Sequence, residues 1–71
     1  MDAPVDIPYA EIERMADDLE AGARGEGIDD NNHRFVIQRF VSRSSGAVYD
    51  CLFPATGAPR CALIPPAPAT K

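Results

Sequence analysis

Residues 8–24 read P-Y-A-E-I-E-R-M-A-D-D-L-E-A-G-A-R, and the class of the whole domain turns on whether this run is helical. Ile12, Met15, Ala16, Leu19 and Ala23 recur at helical intervals, with Tyr9 three residues before Ile12. One apolar stripe with Glu11, Glu13, Asp17, Asp18 and Glu20 off it is the pattern of an amphipathic helix. Pro8 suits a first helical position, where its missing N–H costs nothing. Glu11 complements the positive end of the helix dipole and Arg24 the negative end. Gly25 is a natural stop. The spacing predicts a helix over 8–24.

Before it, residues 1–7 form a flexible lead-in: Pro4 opposes helix, and Ile7, preceding Pro8, is pushed towards extended geometry. After it, G-E-G-I-D-D-N-N-H at 25–33 has the glycines and Asx residues of a loop. R-F-V-I-Q-R-F-V-S at 34–42 and A-V-Y-D-C-L-F at 47–53 are rich in β-branched and aromatic residues and predict strands, with C-A-L-I at 61–64 a short third. Arg43-Ser44-Ser45-Gly46 and Pro54–Pro59 supply turns. Pro65, Pro66 and Pro68 end the last strand, since proline cannot donate to a sheet ladder. The expectation is an α+β fold, α-β-β-β, with one N-terminal amphipathic helix packed on a three-stranded antiparallel β-meander. It forms a single domain over 8–65, followed by a flexible Pro-rich tail over 66–71.

Composition agrees with one small globular domain. Of 71 residues, 45% are apolar and 25% charged, which argues against wholesale disorder. The longest apolar run falls far short of the ~18 residues of a membrane helix. The acidic start Met1-Asp2-Ala3-Pro4-Val5-Asp6 has no apolar segment of a secretory signal, so a cytoplasmic location is expected. A chain this short buries only ~60% of the surface it exposes when unfolded. Such domains lean on a disulfide, a metal or a partner subunit.

Net charge is −4, distributed unevenly. Residues 1–32 hold ten acids and two bases, a net of −8, and residues 33–71 hold five bases and one acid, a net of +4. Such a split steers encounters with charged partners, although acids that only solvate a helix face give the same count.

With the first hairpin centred on Ser44, Val41 opposes Ala47, Arg39 opposes Tyr49, Ile37 opposes Cys51 and Phe35 opposes Phe53. These eight are expected on the helix-covered face, with Arg39 reaching towards an acid of the helix, although a one-residue register slip exchanges the two faces and either could be the covered one. Val36, Phe40, Val48 and Leu52 then share the second face with Gln38 and Asp50. One helix cannot cover both faces, and an apolar patch of this kind marks a contact surface. These four residues are the expected partner-binding set, unless the termini fold over them.

Cys51 and Cys61 lie nearly opposite one another if the second turn is centred near Thr56, so a cross-strand disulfide is geometrically open. In a reducing compartment free buried thiols are the expectation. Zinc would need two further ligands, and His33 is the only histidine. His33 beside Asp29 and Asp30, with Ser42, Ser44, Ser45 or Cys51 as nucleophile, is conceivable catalytic chemistry, but no spacing requires it. The Asp29-Asp30-Asn31-Asn32 run lacks the periodicity of an EF-hand. Pro65-Pro66-Ala67-Pro68 has the spacing of a polyproline ligand, a motif common by chance. No catalytic, cofactor-binding or metal residues are therefore assigned.

The functional expectation is a non-enzymatic protein–protein interaction or regulatory module, self-associating as a homodimer or binding a partner through the second face or edge of its sheet. One alternative is an acidic helix whose Glu13, Asp17 and Glu20 face a basic partner such as a nucleic-acid-binding protein. Another is weak nucleic-acid binding through Arg34, Arg39, Arg43 and Arg60, opposed by the acidic total.

Overall fold

The computed structural model describes residues 3–65. Five strands, β1 (Val5–Ile7), β2 (Leu19–Ile28), β3 (Arg34–Ser42), β4 (Val48–Pro54) and β5 (Arg60–Ile64), join in one antiparallel sheet of order β1-β5-β4-β3-β2. One short helix, α1 (Tyr9–Arg14), and a single 3-10 turn at Ala16–Asp18 carry the chain over one face, from one edge strand to the other. The chain then winds back strand by strand until β5 lies beside β1. No helix among the described residues is long and apolar enough to cross a membrane.

The α+β expectation is corrected here. The fold is mostly β, five strands with one short helix, and not a long helix on a three-stranded meander. The helical reading of 8–24 fails after Arg14. Glu11 N donates to Pro8 O at 2.9 Å to open α1, and the chain leaves α-geometry at Met15, whose φ and ψ are −94° and 7°. Asp18 then fixes the exit: its carboxylate accepts from Ser42 Oγ, from Ser44 Oγ at 2.8 Å and from Ser44 N at 3.0 Å, and its carbonyl accepts from Arg43 N at 2.8 Å. Beyond it, Leu19-Glu20-Ala21-Gly22-Ala23-Arg24-Gly25 offers one large apolar side chain and two glycines. A helical continuation would bury little and cost about 1 kcal/mol per glycine. As a strand the same residues satisfy their backbone groups along β3.

β2 extends to Ile28, which shortens the loop expected over 25–33. Within the tight turn that remains, Asn31 N and His33 N both donate to Asp29 Oδ1 at 2.9 Å, and Asn32 takes the left-handed φ of 64°. The Asp-Asn run is turn chemistry. At the other end, Val5–Ile7 of the expected lead-in pair with Leu63–Cys61 as an edge strand. Residues 66–71, the Pro-rich tail with most of the polyproline spacing, lie outside the described residues.

The core sits under α1. Ile12 (4% exposed) packs with Cys51 (0%) and Cys61 (4%), ringed by partly buried Ile7, Tyr9, Met15, Leu19, Phe40, Tyr49 and Phe53. The Tyr9 and Phe53 rings meet edge to face at 5.7 Å, a favoured aromatic geometry. Cys51 and Cys61 are direct register partners and form a disulfide, in place of the free thiols expected. Cross-linking β4 to β5 in this way supports a core of very few buried side chains.

Candidate functional site

The β3–β4 register decides which side chains share a face. Four residues, Arg43 to Gly46, form the turn: Ser42 N donates to Ala47 O at 2.8 Å, and Gly46 takes a φ of 78°. A four-residue turn places Val41 opposite Val48, Arg39 opposite Asp50, Ile37 opposite Leu52 and Phe35 opposite Pro54. The odd-numbered turn centred on Ser44 is thus corrected by one residue, and a one-residue change sends every β4 side chain to the other face.

Two faces result. The helix side carries Val36, Gln38, Phe40 and Ser42 with Phe53, Cys51 and Tyr49. The opposite face carries Phe35, Ile37, Arg39 and Val41 from β3, Val48, Asp50, Leu52 and Pro54 from β4, and Arg60, Ala62 and Ile64 from β5, with Glu20 of β2 and Asp6 of β1 towards its two edges. No other element among the described residues packs over this second face. Phe35, Val41, Val48, Leu52 and Ile64 are half-buried, whereas Arg39 is exposed and Ile37 is 40% exposed. Of the four partner-binding residues expected from sequence, Val48 and Leu52 lie on this open face. Val36 and Phe40 lie on the helix side, so the structure does not bring the four together.

Arg39 and Asp50 occupy the middle of the open face. Arg39 Nε donates to Asp50 Oδ1 at 2.8 Å and Arg39 Nη2 to Oδ2 at 3.0 Å, a two-point ion pair. The bonds from Arg39 hold the Asp50 carboxyl below its usual range and raise the guanidinium above its own. Arg39 therefore pairs with a strand neighbour, on the face away from the helix acid it was expected to reach. Beside the pair, Arg39, Gly46, Val48, Ile64 and Pro65 bound a hollow of about 480 Å³. At the other end of the face the Phe35 ring lies across Gly27, where a Cβ would collide with ring Cζ. Glycine here gives the ring its seat.

Sequence reasoning missed Phe35, Ile37, Val41 and Ile64 as members of the open face, and Arg39–Asp50 as its centre. The signal was present: the opposite charges of Arg39 and Asp50 pair directly only if the turn between them holds an even number of residues.

The acids of the alternative reading do not share a helix. Glu13 lies on α1, Asp17 in the 3-10 turn and Glu20 on β2, all exposed. Glu11 pairs with Arg14 at 2.9 Å, and the Asp18 carboxyl is held below its usual range by the Ser42 and Ser44 hydroxyls. The arginines are divided as well. Arg34 extends from the helix side of β3, Arg39 from the open face, Arg43 from the turn and Arg60 from the open side of β5. His33 is exposed in the β2–β3 turn, and no cluster of three His, Cys, Asp or Glu able to hold a metal occurs among the described residues.

No known family matches this chain, and neither a curated protein nor a solved structure resembles it significantly.

Proposed function

We propose that the chain is a non-enzymatic protein–protein interaction module that works through the open face of its sheet. The observation that carries this is the face itself: Phe35, Ile37, Val41, Val48, Leu52 and Ile64 flank one ion pair with no covering element among the described residues. A sheet face left to solvent ordinarily alternates to polar side chains, and a contiguous apolar patch marks a contact surface.

Two features favour the face over the edges. β1, at one edge, is three residues long. β2, at the other, carries a bulge between Ala21 and Arg24, where Gln38 Nε2 donates to Gly22 O at 3.1 Å and Ala23 O at 3.3 Å. Short or bulged edges with charged side chains resist strand addition. The compartment enters through the thiols: against the cytoplasm expected from sequence, a lasting Cys51–Cys61 bond favours an oxidising one.

A photo-crosslinking amino acid placed at Ile37 or Leu52, and at Glu13 as the helix-side control, tests the reading in cells that express the full chain. Adducts from the two face positions, absent at Glu13, are the expected outcome. Equal yields at all three positions, or none at any, would remove the open face as the contact surface.

A further inference from the structure

We infer that the occupant of the open face is a second copy of this chain, docked face to face about a two-fold axis along the seam between β3 and β4. This inference rests on the interaction reading above and names its partner. The face carries its own complement. Arg39 and Asp50 are register partners on either side of the seam, one of each sign. Rotation about the seam exchanges the β3 and β4 positions, so Arg39 meets Asp50 of the second copy, and Asp50 meets its Arg39. By the same operation Ile37 is laid on Leu52, and Val41 on Val48, of the second copy.

A ring of four alternating charges forms at the centre, and each charge keeps a partner as water leaves, the condition under which buried ions are tolerated. An isologous contact of this kind is self-complementary by construction. Further from the seam the same operation lays β2 on β5: Gly22 and Gly25, which have no side chains, meet Ala62 and Arg60 of the second copy and leave room for them, and Glu20 meets the second copy's Ile64. Aligned sheets pack about 10 Å apart, with their strands within about 30° of one another.

The dimensions allow a stable contact. The molecule is a slab of 42 × 30 × 19 Å, and its broad side exceeds the ~800 Å² per partner of a standard interface. The small core of buried Ile12, Cys51 and Cys61 in each copy would gain a second, shared apolar layer.

Sedimentation equilibrium on the oxidised full chain, at concentrations up to about 1 mM, is expected to give the mass of a dimer. Arg39→Asp leaves two acids at the centre of the face and Asp50→Arg leaves two bases, so each variant alone is expected to sediment as a monomer. Mixed in equal amounts they are expected to form a heterodimer, because each supplies the charges the other lacks. The double exchange in one chain restores both the internal and the crossed pairs and is expected to dimerise like the parent. Ile37→Lys alters an already exposed side chain, so it spares the monomer fold, and is expected to weaken the dimer by at least about tenfold. A parent that stays monomeric throughout overturns the inference. So does a mixture of folded single variants that associates no better than either alone. Photo-crosslinks from Ile37 found only at the mass of another protein would remove the second copy and leave the interaction reading standing. The absence of crosslinks at any mass would remove both.

Discussion

Gly27 and Phe35 are opposite register partners, and the ring occupies the volume a β-carbon at 27 would need. Gly27→Ala is expected to force the ring off its seat and to lower stability by about 1–2 kcal/mol, the range of a small overpacking. In a Phe35→Leu background the same change should cost much less. Urea unfolding of the two single variants and the double measures the difference, and a coupling below about 0.5 kcal/mol would mean the two do not interact. Asp18 and Asp50 act through charge. Hydrogen bonds from Ser42 and Ser44 to the first, and from Arg39 to the second, hold both carboxyls below the ordinary aspartate value in the folded chain. A depressed folded pKa contributes stability that is present above the unfolded value, about 3.9 for aspartate, and lost as pH falls through the lower folded value. Unfolding midpoints are therefore expected to hold steady from about pH 7 to about pH 4 on account of these two groups, then to fall. Asp18→Asn and Asp50→Asn should each start from a lower plateau and fall less steeply in acid. Acid limbs that run parallel to the parent's in both variants would show that neither bond is linked to folding.

Residues 34–64 were legible because each strand there carries its own local signal: β-branched and aromatic residues between glycine or proline turns. β3, β4 and β5 appear at 34–42, 48–54 and 60–64. β2 was not legible. Leu19-Glu20-Ala21-Gly22-Ala23-Arg24-Gly25-Glu26-Gly27-Ile28 has neither strand composition nor alternation, and its first half continues the helical spacing of Ile12 and Met15. Its conformation is a tertiary product, set by the β3 ladder and by the Asp18 anchor at its start. β1, three residues ahead of a helix, was hidden for the same reason: its ladder partner lies at Cys61–Leu63. The candidate site was half legible. The excess of apolar residues over what one helix covers was visible, but membership of the open face depended on whether the β3–β4 turn held an odd or an even number of residues. If β2 is imposed by β3, the segment should behave differently once detached. A peptide of residues 8–28 is expected to lack strand by circular dichroism, and Gly22→Ala with Gly25→Ala should raise its helix content. In the intact chain a Cβ at 22 meets Arg39 only at ordinary contact distance, and one at 25 meets nothing within 4 Å. The same pair of substitutions should therefore leave the β2 amides protected in hydrogen exchange. Loss of that protection would show that local propensity, and not the ladder, decides the segment.

At the scale of the molecule the question is how a sheet with so little buried interior stays folded. Among the described residues only Ile12, Cys51 and Cys61 are buried apolar residues, and two of the three are the disulfide. The bond spans ten positions between neighbouring strands, and closing a loop of this length removes roughly 2–3 kcal/mol of unfolded-state entropy. Reduction is expected to lower stability by about that amount, a large fraction of the ~5 kcal/mol at the lower end for folded domains. Comparison of urea curves with and without a phosphine reductant measures it, and superimposable curves would show that the strands hold without the bond. The same experiment bears on self-association. A dimer that unfolds to two separate chains gains apparent stability by about 1.4 kcal/mol for each tenfold rise in concentration, whereas a monomer gains none. The reduced chain, with its internal cross-link gone, should depend most visibly on that shared layer, and its unfolding midpoint is expected to climb as concentration is raised. Under the same reduction Ile37→Lys, which places a charge where the second sheet would lie, should unfold at one midpoint at every concentration. A midpoint independent of concentration in the unsubstituted reduced chain would mean that each molecule stands alone, with its apolar face open to water and its fold held within one copy.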